Sequence, residues 1–70
     1  MPADYRKVCK IAPNTFESIF NGFHFIVERN KITNECHAYC QNTGYGFRRR
    51  SINMIRQHLN DLKAVIKENN

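Results

Sequence analysis

The stretch Ser51-Ile52-Asn53-Met54-Ile55-Arg56-Gln57-His58-Leu59-Asn60-Asp61-Leu62-Lys63-Ala64-Val65-Ile66 decides how the rest of this chain is read. Ile52, Ile55, Leu59, Leu62 and Ile66 recur at steps of three, four, three and four, the spacing of one face of an α-helix. At about 100° per residue they fall within an arc of about 80°. Met54 and Val65 widen that arc on one side, and His58 sits between Met54 and the arc. Asn53, Arg56, Gln57, Asn60 and Lys63 are assigned to the opposite, solvent-facing side, and Ser51 is a natural N-cap. The same spacing suits a coiled-coil seam, but two heptads are fewer than the three or four such a seam sustains.

Upstream of the helix the period changes to two. Phe23-His24-Phe25-Ile26-Val27-Glu28 is rich in strand formers, with Phe23, Phe25 and Val27 on one face and His24 and Ile26 on the other. Arg29-Asn30-Lys31 reads as a turn, Ile32 to Cys40 as a second strand, and Gln41-Asn42-Thr43-Gly44 as a turn that tolerates positive φ. A short third strand fits Tyr45 to Arg49. Further back, Phe16, Ile19, Phe20 and Phe23 suit either a short helical turn or an aromatic cluster packed under a sheet. The segment before them mixes charges with single hydrophobes and contains Pro2 and Pro13, and reads as an irregular N-terminal arm. No repeat, low-complexity tract or interdomain linker interrupts the chain. The expected fold is therefore small α+β, a β-hairpin followed by a C-terminal helix (ββα) over residues 16–68, with an aromatic N-terminal extension behind an arm of residues 1–15.

Seventy residues hide only about 60% of the surface of the unfolded chain, so the core is thin. Metal, disulfides or a partner chain are the usual reinforcements at this size. The three cysteines, Cys9, Cys36 and Cys40, are odd in number and follow no signal peptide, which argues for a reduced compartment rather than a secreted disulfide scaffold. No apolar run approaches the roughly 20 residues of a membrane span, so a soluble protein without membrane attachment is expected. The polar ending Lys67-Glu68-Asn69-Asn70 resembles a linker or the edge of a fragment.

Net charge is +5, and it is concentrated in the second half of the chain. Between Cys36 and Asn60 there is no acidic residue, while Arg48, Arg49, Arg50 and Arg56 all fall there. That is the footprint of a phosphate-binding face, or alternatively of a solvated surface with no partner.

Cys36-His37-Ala38-Tyr39-Cys40 precedes the helix, and His58 lies on the helix. Two thiolates from a hairpin and one imidazole from a helix are the donor types of a structural zinc ion, which takes four ligands tetrahedrally. After His58 no histidine or cysteine follows, so a fourth ligand would come from His37, His24 or Cys9. His37 alternates away from the face shared by Cys36 and Cys40 if the strand runs through it. The alternative reading makes Cys36 and Cys40 small buried hydrophobes and His58 a histidine at the core edge with a satisfied hydrogen bond.

With these residues in view, the chain resembles the BED-type zinc finger of transposase-derived and chromatin-associated proteins, over roughly residues 16 to 68. Phe16 and Phe20 are similar to the family's opening aromatic pair, Cys36 and Cys40 match its cysteine pair on a hairpin, and Ser51 to Leu59 is similar to its helix start, with His58 as the first histidine. At the family's last ligand position this chain has Lys63. The resemblance implies zinc held by Cys36, Cys40 and His58, DNA binding, a nuclear location and a role in chromatin or transcription regulation.

For nucleic acid the residue types agree. Arg48, Arg49 and Arg50 precede the helix, where they would meet phosphates, and Asn53, Arg56 and Gln57 project from its first turns, where they would read base edges in a major groove. Tyr39 and Tyr45 would either stack on unpaired bases or simply pack on the sheet. DNA is the expected partner, with RNA as the alternative. A competing function is a protein-interaction or homodimerisation module that has lost zinc and DNA binding. No Gly-rich phosphate loop, nucleophile elbow or paired carboxylates are present, so neither an enzyme nor a small-molecule substrate is expected.

Overall fold

A computed structural model describes the backbone of residues 8–68 and the side chains of residues 8–65. Five strands, β1 (Cys9–Ala12), β2 (Thr15–Phe20), β3 (Phe23–Arg29), β4 (Cys36–Cys40) and β5 (Gly46–Arg49), precede one helix, α1 (Ile52–Glu68). The strands form one antiparallel sheet in chain order, β1-β2-β3-β4-β5. The α+β class and the C-terminal helix agree with the sequence reading. The single hairpin does not: β4, β5 and α1 form a ββα unit, but three further strands extend the sheet beside it.

Two of those strands arise where an arm, and either a short helical turn or an aromatic cluster under a sheet, were expected. Phe16↔Val27, Ser18↔Phe25 and Phe20↔Phe23 lie in register, so β2 turns Phe16, Ser18 and Phe20 to the core and Glu17 and Ile19 away from it. The connection is the dipeptide Asn21-Gly22, with φ of 48° and 81°. Two consecutive positive φ values make a type I′ hairpin turn, whose twist matches that of the flanking strands. The described part of the N-terminal segment is likewise in the sheet, with Cys9 opposite Glu17 and Lys10 opposite Phe16. The β3–β4 connection is longer than the expected three-residue turn. Asn30 Oδ1 accepts hydrogen bonds from the backbone N–H groups of Ile32 (2.8 Å) and Thr33 (3.1 Å), which folds the chain back before a strand can begin, and β4 starts only at Cys36.

The sheet has one face covered by α1 and one that α1 leaves uncovered, on which Ile26, in register with Glu17 and Tyr39, is nevertheless buried. Phe16, Phe20, Phe25, Val27, Cys36, Ala38 and Cys40 form the covered face, on which Ile55 and Leu59 of α1 are fully buried and Ile52, Leu62 and Phe47 partly so. Phe20 and Phe25 stack at 5.6 Å between ring centres. Ser51 caps α1 as expected, its Oγ accepting from the N–H of Met54 at 3.3 Å. Ile66, the fifth residue of the apolar spacing, lies outside the described side chains.

Three helix residues fall elsewhere than expected. Met54 and Val65 are about half exposed (49% and 53%), because the helix rests on Ile55 and Leu59 and turns that flank past the edge of the sheet. Lys63 is buried, its Nζ 4.9 Å from the centre of the Phe20 ring. It lies eleven residues after Ile52, a rotation of about 1,100°, or about 20° net, which places it on the apolar side. Its aliphatic stem packs while its ammonium meets an aromatic face. No helix among the described residues is long and apolar enough to cross a membrane.

Candidate nucleic-acid interface

Because side chains alternate along a strand, three consecutive arginines at the end of β5 cannot act alike. Arg48 pairs in register with His37 and shares its face, the open one, whereas Arg49 is opposite Cys36 on the covered face. Arg50 follows at the bend before α1 and is exposed. With Glu35 and Met54 the three arginines line a recess of about 320 Å³ at this end of the sheet. The first turn of α1 carries no acidic residue, so its positive pole adds to the same local potential.

Arg49 is occupied within the fold. Its guanidinium donates to the backbone oxygen of Arg48 at 2.6 Å and to Nδ1 of His58 at 3.3 Å, and lies 5.2 Å over the Phe47 ring. A guanidinium only donates, so Nδ1 of His58 is an acceptor and the ring proton is on Nε2, which donates to the Tyr45 hydroxyl at 3.2 Å. The His58 ring also packs on Phe47 with centres 4.2 Å apart. Burial, reinforced by the charge of Arg49 and opposed by Asp61, holds the His58 imidazole below its usual range. Tyr45, Phe47, Arg49 and His58 therefore form a clip between β5 and α1. Their joint role was not read from the sequence, although period two along β5 separates Arg49 from Arg48.

The remaining candidates are exposed. Arg48, Arg50, Asn53, Arg56 and Gln57 all face solvent, and among the described residues no hydrogen bond or ion pair engages the guanidinium groups of Arg48, Arg50 and Arg56. Gln57 donates to Oδ1 of Asp61 at 3.2 Å. On α1, Asn53, Arg56 and Gln57 span an arc of about 100°, with Arg50 leading into the same turn.

The proposed zinc ligands are not brought together. Cys36 and Cys40 share a buried face, but four residues of extended strand separate their Cα atoms by about 13 Å at roughly 3.3 Å per residue. A cysteine sulfur lies no more than about 3 Å from its Cα, so the two sulfurs stay farther apart than the roughly 4.6 Å that two zinc–sulfur bonds of about 2.3 Å allow. Each thiol has its own partner: Cys36 Sγ donates to the backbone oxygen of Asn34 at 3.4 Å, and Cys40 Sγ to Oδ1 of Asn42 at 3.8 Å. Burial pushes the Cys36 thiol up, against the opposing charge of Arg29. Burial acts on Cys40 in the same sense, but hydrogen bonds from Thr43, Asn42 and His24 outweigh it and hold that thiol low.

Both ring nitrogens of His58 are engaged as described, and the candidate fourth ligands lie across the sheet. His37 and His24 are on the open face, where His24 Nε2 contacts Glu17 Oε1 at 3.1 Å, and Cys9 is in register with Glu17 on that face. Among the described residues, no group of three or more His, Cys, Asp or Glu side chains is arranged to hold a metal ion. The residues present do not fit a shared zinc site, and they behave as core and clip residues.

No family model matches this chain, and it matches neither a curated protein nor a solved structure.

Proposed function

We propose that this chain is a nucleic-acid-binding module, directed at DNA, that uses Arg48 and Arg50 as phosphate contacts and the exposed face of α1 to read the groove, in chromatin or transcription regulation in the nucleus. The observation that carries the reading is the pairing of two unengaged guanidiniums, Arg48 and Arg50, around the recess at the start of α1, in a chain of net charge +5. In this arrangement Arg48 and Arg50 hold the backbone and set register, while Arg56, Asn53 and Gln57 meet base edges in the major groove. The clip of Arg49 and His58 fixes β5 against α1 and so holds the phosphate and base contacts in one geometry. No metal takes part in this reading.

Fluorescence anisotropy with labelled duplex across a salt series tests it. Affinity is expected to fall steeply with salt, and Arg48→Ala and Arg50→Ala are each expected to reduce the logarithmic slope by about one. Binding that ignores salt refutes the proposal.

One observation favours the second reading, a protein-interaction or dimerisation module. Tyr45, Met54 and Val65 are each about half exposed, and the last two lie on the flank of α1 next to His58, to which Tyr45 is bonded. Sedimentation over a concentration series decides it: a dimer lost in Met54→Glu, together with no affinity for nucleic acid, selects this alternative.

A further inference from the structure

The helix leaves one face of the sheet open, and the edge of that face beside Arg48 has the composition of a base-stacking surface. His37 and Tyr39 alternate outward from β4, away from Cys36, Ala38 and Cys40. Their rings lie side by side, with centres 5.7 Å apart and planes tilted by 41°. Beyond them is the edge strand, where Tyr39 is in register with Gly46 and His37 with Arg48. A Cβ at Gly46 would stand 3.3 Å from His37 Nε2, 3.6 Å from Tyr39 Cβ and 3.1 Å from the backbone oxygen of Ala38. The glycine thus leaves room for the imidazole and puts no side chain between Tyr39 and the sheet edge. Tyr45, the other tyrosine suited to stacking, is on the opposite face with its hydroxyl bonded to His58.

Charge divides this face. Arg48 is exposed next to His37 at the β5 edge, with Arg50 just beyond. Two carboxylates of this face lie outside the β4–β5 pair, Glu28 in register with His37 on β3 and Glu17 on β2 in contact with His24, while Glu35, just before β4, lines the recess with Arg48 and Arg50. A polyanion is attracted to the β4–β5 half and repelled from the β1–β3 half.

We propose that the open face along β4 and β5 is a second nucleic-acid surface, one for unpaired bases, in which Tyr39 and His37 stack on the bases and Arg48 meets the adjoining phosphate. The inference rests on the nucleic-acid reading above and extends it to single-stranded targets. Bases in a duplex already stack on one another, whereas unpaired bases offer free π-faces to aromatic rings. The chemistry is shared by single-stranded DNA and RNA, and the two are separated in the test.

The chain has three tyrosines and no tryptophan, so in a Tyr5→Phe/Tyr45→Phe background Tyr39 is the sole strong emitter. Oligothymidine or oligouridine is expected to quench its emission saturably, and a duplex of equal length to leave it unchanged. The preferred oligomer then identifies the polymer, and either preference supports the surface. In the full chain, Tyr39→Leu keeps apolar bulk and is expected to weaken single-strand binding about 5- to 150-fold, with duplex affinity unchanged and Tyr39→Phe close to wild type. Unaltered single-strand affinity in Tyr39→Leu, or equal quenching by duplex, overturns the inference while duplex binding through Arg48 and Arg50 still stands. Absence of binding to any nucleic acid overturns both.

Discussion

Replacing each arginine of the run in turn separates contact from scaffold. Arg49→Ala removes two hydrogen bonds, to the Arg48 backbone oxygen and to His58 Nδ1, and the packing of the guanidinium on Phe47. Hydrogen bonds of this kind contribute about 0.5–1.5 kcal/mol each and a cation–π contact about 0.5–1 kcal/mol. Because Arg49 is only half-buried, a combined loss of about 1–2 kcal/mol is expected, a large part of the roughly 3–5 kcal/mol a core of this size supplies. For a chain of this length each kcal/mol lowers the melting midpoint by roughly 4–8 °C, so a drop of roughly 5–15 °C should appear in a circular-dichroism melt. Arg48→Ala and Arg50→Ala remove exposed, unengaged side chains and should stay within about 0.5 kcal/mol of wild type. The salt slope of duplex binding should respond in the opposite pattern, falling by about one for Arg48→Ala and for Arg50→Ala and remaining constant for Arg49→Ala below its melting range. An Arg49→Ala protein that melts like wild type yet loses one unit of salt slope would refute this division of roles.

Three further outcomes follow from the same geometry. Burial and Arg49 keep the His58 imidazole below its usual range, so the folded chain takes up this proton less readily than the unfolded chain. Its effect on stability is nil above the ordinary histidine range near pH 6.5 and destabilising as pH falls through that range. It levels off once the folded imidazole itself protonates, with a slope of at most about 1.4 kcal/mol per pH unit. Urea denaturation of wild type and His58→Gln across that range should show the difference, and parallel pH profiles would contradict it. Metal removal should do nothing: chelator and added zinc are both expected to leave the melting midpoint unchanged, and a midpoint that climbs with zinc would show that the folded chain holds the metal and would contradict this reading. Glu35 is the carboxylate lining the arginine recess, so Glu35→Gln should tighten duplex binding about two-fold at low salt and not at high salt, where charges a Debye length apart are screened. Anisotropy at two salt concentrations checks this, and a gain that persists at high salt would mean the carboxylate acts by contact instead of by field.

The helix was legible because its apolar spacing, its cap at Ser51 and its length all agree, and Ile55 and Leu59 are buried as that spacing requires. The faces of β3 were legible for the same reason, since Phe25 and Val27 alternate with His24. The β2–β3 hairpin was obscured by two features. Ser18 occupies a core position between Phe16 and Phe20, which breaks the apolar alternation, and Ile19 is 60% exposed on the other face. Spacing alone then fits a helical turn as well as a strand, and the decisive signal is the dipeptide Asn21-Gly22, a pair suited to the two consecutive positive φ values of a type I′ hairpin turn. The metal reading was obscured differently. Two cysteines with three residues between them can share an ion when a turn joins them, but β4 is extended through the whole interval, and that depends on its pairing with β3 and β5.

The clip also accounts for the position and protonation of His58 without a metal. A metal-bound imidazole uses one ring nitrogen for the ion, and a protonated one has no acceptor left. Arg49 needs an acceptor at Nδ1, and Tyr45 Oη meets the hydrogen on Nε2, so the clip requires a neutral imidazole with both nitrogens available. Clip and metal are therefore mutually exclusive uses of His58. With the clip formed, the guanidinium of Arg49 stands at the imidazole, where it opposes any cation by repulsion. The same interaction turns one arginine of the run into the fold and leaves its two neighbours, Arg48 and Arg50, exposed, so the hydrogen bonding at His58 sets which positive charges the surface presents.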